Sequence, residues 1–214
     1  MSADTTGFEA ARAVSVRRGR WLEYVTIGWN SLEAVASIAV GLIAGSIALV
    51  GFGLDSLIEV SSGAALLWRL HLDAPERRER AERIALKLVG VSFLLLAGYV
   101  AFDSVKALVK REAPESSYVG IAIAALSPAV MPLLARAKRR VAAAISSRAL
   151  HADSRQTDIC TYLSAILLAG LILNALFGWW WADPVAALVM IPIIAKEGVE
   201  ALRGETCCDD GACH

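Results

Sequence analysis

Long apolar runs separated by short clusters of charge dominate the pattern of this chain. Six runs, near residues 22–44, 46–69, 84–108, 117–135, 157–178 and 183–202, are long enough to cross about 30 Å of hydrocarbon at about 20 residues per helix. The pattern predicts an all-α polytopic membrane protein with six transmembrane helices and no room for a soluble domain. Residues 1–20 read as a polar, weakly amphipathic cytoplasmic segment on the membrane surface. Residues 21–203 form the membrane domain, and residues 204–214 form a short cytoplasmic tail. The connections DAPERRERAERI and ARAKRRVAAAISSRALHADSRQ read as charged helical extensions more than as loops. Pro128, Pro132 and Pro192 lie inside the fourth and sixth runs and predict local bends.

Composition supports this class. The chain is 57% hydrophobic, with a formal net charge of zero. No Lys/Arg stripe of the kind that neutralises phosphates is present, so a nucleic-acid partner is excluded and the lipid bilayer is the expected surroundings. The basic residues are sorted by position. Arg12, Arg17, Arg18 and Arg20 precede the first run, Arg77, Arg78, Arg80 and Arg83 follow the second, and Arg136, Lys138, Arg139, Arg140 and Arg148 follow the fourth. By the positive-inside rule both termini are cytoplasmic. The first run is too long for a cleavable signal and contains Asn30 and Glu33, so it is expected to remain a membrane helix.

Within GSIALVGFGLDSLIEVSSGAALLW, uncharged but for two positions, stand Asp55 and Glu59. A charge at the bilayer centre costs about 2.5–3.5 kcal/mol on insertion scales, and no basic residue is expected at this depth. Their i,i+4 spacing puts both carboxylates on one helix face, where joint ionisation is opposed unless a cation arrives. The first run offers Asn30, Glu33 and Ser37 on one face, and HADSRQTDICTY offers His151, Ser154 and Asp158. Converging, three such helices would build an oxygen-rich cation site anchored by Asp55, Glu59 and Asp158. The alternative for Asp158 is an internal ion pair with Arg155.

At these residues the sequence resembles the transmembrane domain of the cation diffusion facilitator, or cation efflux, family. GSIALVGFGLDSLIEV is similar to its second helix, ADSRQTDICTYLSAILL to its fifth, and WADPVAALVMIPII to the Asp-Pro opening of its sixth. The resemblance spans about residues 20 to 202. It implies a secondary transporter that exports a divalent metal ion from the cytoplasm in exchange for protons, with zinc the commonest cargo in the family. It also implies a homodimer, and Asp55, Glu59 and Asp158 as transport-site ligands. Two departures stand out. Ser154 occupies a position where the family has His or Asp, leaving Glu33, Asn30, His151 or water to supply the fourth ligand. The sequence also ends before the family's usual cytoplasmic domain. An oxygen-only site would suit manganese, cobalt or iron(II). No prosthetic group is expected; the metal is cargo.

The tail ETCCDDGACH carries Cys207, Cys208, Cys213 and His214, soft and borderline ligands suited to a second metal site in a reducing compartment. Cys160 reads as a small packing residue. No HExxH or comparable constellation supports an intramembrane hydrolase, so the chain is not read as an enzyme. A non-transporting, metal-binding or regulatory membrane protein on the same frame is the alternative. The compact architecture suggests a bacterial inner membrane.

Overall fold

Gly45 ends the first helix. Its φ of 67° is the left-handed conformation that glycine adopts without penalty. The Ser46 amide then reaches back to the Gly41 carbonyl at 2.9 Å, which satisfies an otherwise orphaned acceptor. Ser46 turns the chain into the second helix, its hydroxyl accepting from the Leu49 amide at 3.1 Å. Gly178, with φ 63°, closes the fifth helix in the same way, its amide donating to the Asn174 carbonyl at 2.9 Å.

The computed structural model describes residues 3–70, 75–111, 115, 117–145 and 148–203. They form six helices: α1 (Ala3–Ala44), α2 (Ile47–Leu70), α3 (Pro75–Lys110), α4 (Tyr118–Ile145), α5 (Arg148–Phe177) and α6 (Ala182–Arg203). Among the described residues there is no strand. α1 to α5 each contain a stretch long and apolar enough to cross a membrane. α6 also has the length, but Asp183 and then Lys196, Glu197 and Glu200 confine its uncharged run to residues 184–195.

Over their described residues the charged connections are helical. α3 begins at Pro75 and α4 continues to Ile145, past the apolar runs that predicted them. One expectation changes: residues 3–20 are not a separate surface element but the first turns of a continuous α1. At 1.5 Å per residue that helix is about 63 Å long, twice the hydrocarbon thickness.

Neighbouring helices alternate in direction. The near end is where α1, α3 and α5 start; the far end is where they finish. α1 packs along α2, α4 along α5 and α3 along α6 most extensively. The approach of α2 to α1 requires Gly53, because an added Cβ there would stand 2.7 Å from Ile38 Cγ1 and 3.1 Å from the Ala34 carbonyl oxygen. Large apolar side chains such as Leu32, Ile43, Leu95, Phe102 and Val109 cover the outside, as a bilayer requires. Inside, one apolar cluster centres on Phe52, Met131, Leu163, Leu167 and Met190, while a smaller one of Leu22, Leu66, Val141, Ala142 and Leu150 seals the near end.

Candidate functional site

α2 turns Asp55 and Glu59 inward, leaving them only 4% and 3% exposed. Facing them, α1 presents Glu23, Thr26, Asn30, Glu33 and Ser37 along one buried stripe. α4 contributes Ser127 and Lys138, and α5 contributes Asp153, Thr157 and Cys160. These residues make a polar file through an otherwise apolar bundle. The helices supply them at steps of three, four or eleven residues, the spacings that keep one face toward the axis.

Two contacts tie the file together around the carboxylate pair. The Ser56 hydroxyl donates to Glu33 Oε2 at 3.0 Å, joining α2 to α1. The Thr157 hydroxyl lies 2.8 Å from Glu59 Oε1 and 3.2 Å from its own Asp153 carbonyl, joining α5 to α2. The Cys160 thiol, three residues along α5, also lies beside Glu59. Several atoms in the file have no hydrogen-bond partner: Glu33 Oε1, Glu59 Oε2, both amide atoms of Asn30, and the hydroxyls of Ser37 and Ser127. Unpartnered acceptors at this depth suit a cation or water more than a packed apolar core.

The near-end part of the file holds an ion cluster. Lys138, with no exposed surface, donates to Glu23 Oε2 at 3.2 Å and to Asp153. Its ammonium also acts electrostatically on Glu59. A basic residue therefore lies buried within electrostatic reach of Glu59, although none was expected at the depth of the pair. Lys138 falls within the run Arg136 to Arg140, which reads as a cytoplasmic flank. Its register, eleven residues after Ser127 and seven after Met131, nevertheless puts it on the buried face of α4. Glu23 was also missed, although it stands seven residues before Asn30 on the same stripe.

The expected ligands divide accordingly. Asp55, Glu59, Glu33 and Asn30 all lie in the file. Asp158 does not: about a third of its side chain is exposed, and it pairs with Arg139 rather than with Arg155. Adjacent cations on α4 thus each hold an aspartate of α5, Lys138 taking Asp153 and Arg139 taking Asp158. This register turns Thr157 toward Glu59. Ser154 is buried, but its hydroxyl donates to the His151 carbonyl at 2.6 Å. His151 is half-buried at the near end. Cys207, Cys208, Cys213 and His214 lie outside the described residues. Among the described residues no three His, Cys, Asp or Glu side chains stand within common reach of one metal ion, so the donors form a column and not a closed cage.

At the far end, Asp183 opens α6 and caps a different helix. Its carboxylate accepts from the Ser46 hydroxyl, from the Ile47 amide at 3.0 Å and from the Ala48 amide at 3.4 Å. The first turn of the carboxylate-bearing helix is thereby anchored to α6.

The sequence matches the family model of the cation efflux transmembrane domain over residues 24–205. It is 26% identical over 187 residues to transmembrane protein 163 of Xenopus laevis, covering 87% of this chain and 66% of that protein. It is 28% identical over 191 residues to an uncharacterized transporter of Synechocystis, covering 84% and 61%. It is also 26% identical over 113 residues to the cation-efflux pump FieF of Shewanella oneidensis, covering 53% and 36%. The chain thus spans less than two thirds of the length of these curated relatives. With its six helices, its apolar exterior and a family match that takes in all of α2 to α6, this chain belongs to the cation efflux family.

Proposed function

We propose that the protein is a secondary transporter that moves a divalent transition-metal cation out of the cytoplasm in exchange for protons. The observation that carries this reading is the pair Asp55 and Glu59, buried in a membrane-spanning helix with Glu59 Oε2 and the neighbouring Glu33 Oε1 unpartnered. Asp55 and Glu59 are the anchoring ligands, with Glu33, Asn30 and Thr157 supplying further oxygens as the helices close. Asp158 joins only if its pair with Arg139 opens.

Carboxylates must be deprotonated to hold a metal ion, so binding releases protons and release takes them up. That linkage supports antiport. Rocking of packed helix groups about one midplane site gives alternating access. Zinc is the first candidate. Cys160 beside Glu59 adds sulfur to a donor set otherwise made of oxygen, which suits zinc or cobalt better than manganese or iron(II). The membrane is read as a bacterial inner membrane, with both termini cytoplasmic.

The test is proton movement in proteoliposomes with a pH dye inside, on adding zinc, cobalt, manganese or iron(II). Metal-driven proton flux in the wild type that is lost in Asp55→Asn supports exchange through the pair. Folded, inserted protein that gives no flux with any of these metals sinks the transport reading. It would leave the second reading, a metal-binding membrane protein that does not transport, which the stapling of α1, α4 and α5 by Lys138 favours.

A further inference from the structure

The cluster of Glu23, Lys138 and Asp153 is separate from the Asp55 and Glu59 pair and unbalanced in charge. Two carboxylates face one ammonium, with exposures of 0%, 5% and 0% for Glu23, Asp153 and Lys138. Each carboxylate uses one oxygen on Lys138, and the others, Glu23 Oε1 and Asp153 Oδ1, are buried without a hydrogen-bond partner. The one ammonium reaches both carboxylates but balances the charge of only one, and the two unpartnered oxygens carry a desolvation cost that stapling the helices does not offset.

α2 closes over the cluster at Gly63, where a Cβ would stand 3.1 Å from Ile27 Cγ1 and 3.4 Å from Glu23 Oε2. Asp153 lies one turn, about 6 Å, before Thr157, whose hydroxyl touches Glu59. The cluster therefore stands between the apolar seal at the near end and the carboxylate pair.

We propose that Glu23 and Asp153 form a subsite for a divalent cation on the way from the near end to Glu59, and that the Lys138 ammonium is its resident occupant, displaced when the ion arrives. A divalent ion matches both carboxylates, whereas one ammonium matches one. Lys138 has a flexible four-carbon stem, whose rotations let its head swing away from the two carboxylates as the ion arrives. When the ion moves on to Glu59 the lysine returns, so the two carboxylates never stand without a cation. This subsite rests on the transport reading above.

The experiment titrates the full chain in lipid nanodiscs with Mn2+ alone, counting free Mn2+ by its six-line EPR signal. In a D55N/E59Q background, Lys138→Met should bind Mn2+ at least about tenfold more tightly than the same background with Lys138 present. Adding Glu23→Gln and Asp153→Asn should abolish the gain. Asp153→Asn alone retains the Lys138–Glu23 pair and hence the fold. In proteoliposomes its KM for Mn2+ should rise about tenfold with a smaller change in kcat, a split that loss of a purely structural bridge would not produce. Folded Lys138→Met with no tighter binding, or Asp153→Asn with a wild-type KM, overturns the subsite. If Lys138→Met does not fold, Asp153→Asn decides. Comparing wild type with D55N/E59Q tests the main site separately, because equal Mn2+ binding by those two sinks that reading and leaves the Lys138 comparison intact.

Discussion

Glu59 and Asp158 differ in what surrounds them more than in what they are. Glu59 is buried, holds Thr157 through one oxygen and leaves the other without a partner; Asp158 is partly exposed and committed to Arg139. Glu59→Gln should therefore lower metal affinity by about a hundredfold, because it removes an anionic ligand where water cannot replace it, whereas Asp158→Asn should lower it by less than about tenfold. Isothermal titration of each variant with zinc checks the order, and equal losses would show that Asp158 leaves Arg139 to bind metal. Cys160→Ser should keep the fold, shrink the preference for zinc over manganese by about tenfold, and show this as a changed affinity ratio. At this scale the sequence was only partly legible. Asp55, Glu59, Glu33 and Asn30 were recognisable because charge or amide groups break otherwise apolar faces. The face of α5 was not, because HADSRQTD is polar all round, and a shift of one residue, about 100° of rotation, separates Ser154 and Asp158 from Asp153 and Thr157. The choice was made by Lys138 and Arg139 on another helix.

Between elements, the least expected contact is the cap that α6 places on α2. Ser46 alone would cap α2, as the Leu49 amide shows, but Asp183 also takes the Ile47 and Ala48 amides and thereby fixes the far end of the helix that carries both central carboxylates. Asp183→Ala should destabilise the protein by about 1–2 kcal/mol, while Asp183→Asn, which keeps an acceptor, should cost less. Thermal unfolding in detergent gives the comparison, and an alanine variant as stable as the wild type would mean that Ser46 suffices. The Asp-Pro opening of α6 was legible as a motif, whereas its partner was not, since no local pattern links residues 46–48 to residue 183. Helix number and order were legible for a physical reason: the runs of α1 to α5 are long enough for the bilayer and uncharged enough to enter it, and α6 stands out as a shorter apolar run opened by Asp-Pro. The helical extensions could be read because charged residues favour helix as readily as apolar ones when no Gly or Pro intervenes. The length of α1 was harder to see, because the same polarity suits a surface segment and a helix that projects beyond the membrane.

Across the whole molecule, charge in the interior is strongly one-sided. Glu23, Glu33, Asp55, Glu59 and Asp153 line the file, and Lys138 is the one buried cation among the described residues. The zero net charge of the sequence conceals this, because the compensating Arg and Lys residues sit mostly at helix ends. Such a file has two ways to be at ease: its carboxylates carry protons, or they share a multivalent cation. A ligand that binds only the folded protein stabilises it by about 2.7 kcal/mol at one hundred times its Kd. Zinc or manganese should therefore raise the unfolding temperature of the wild type, and a chelator should bring it back. Protons compete for the same oxygens, so the metal-dependent gain should be largest at neutral to mildly alkaline pH and shrink steadily on acidification. Asp55→Asn/Glu59→Gln should lose most of the gain. The double variant, and not the pH trend, separates specific capture from metal on surface carboxylates, because protons compete at both and only the former should disappear with those two substitutions. A metal-induced rise that persists unchanged in the double variant would place the cation elsewhere on the molecule, and no rise in the wild type would mean that the interior carboxylates reach their neutral state through protons alone.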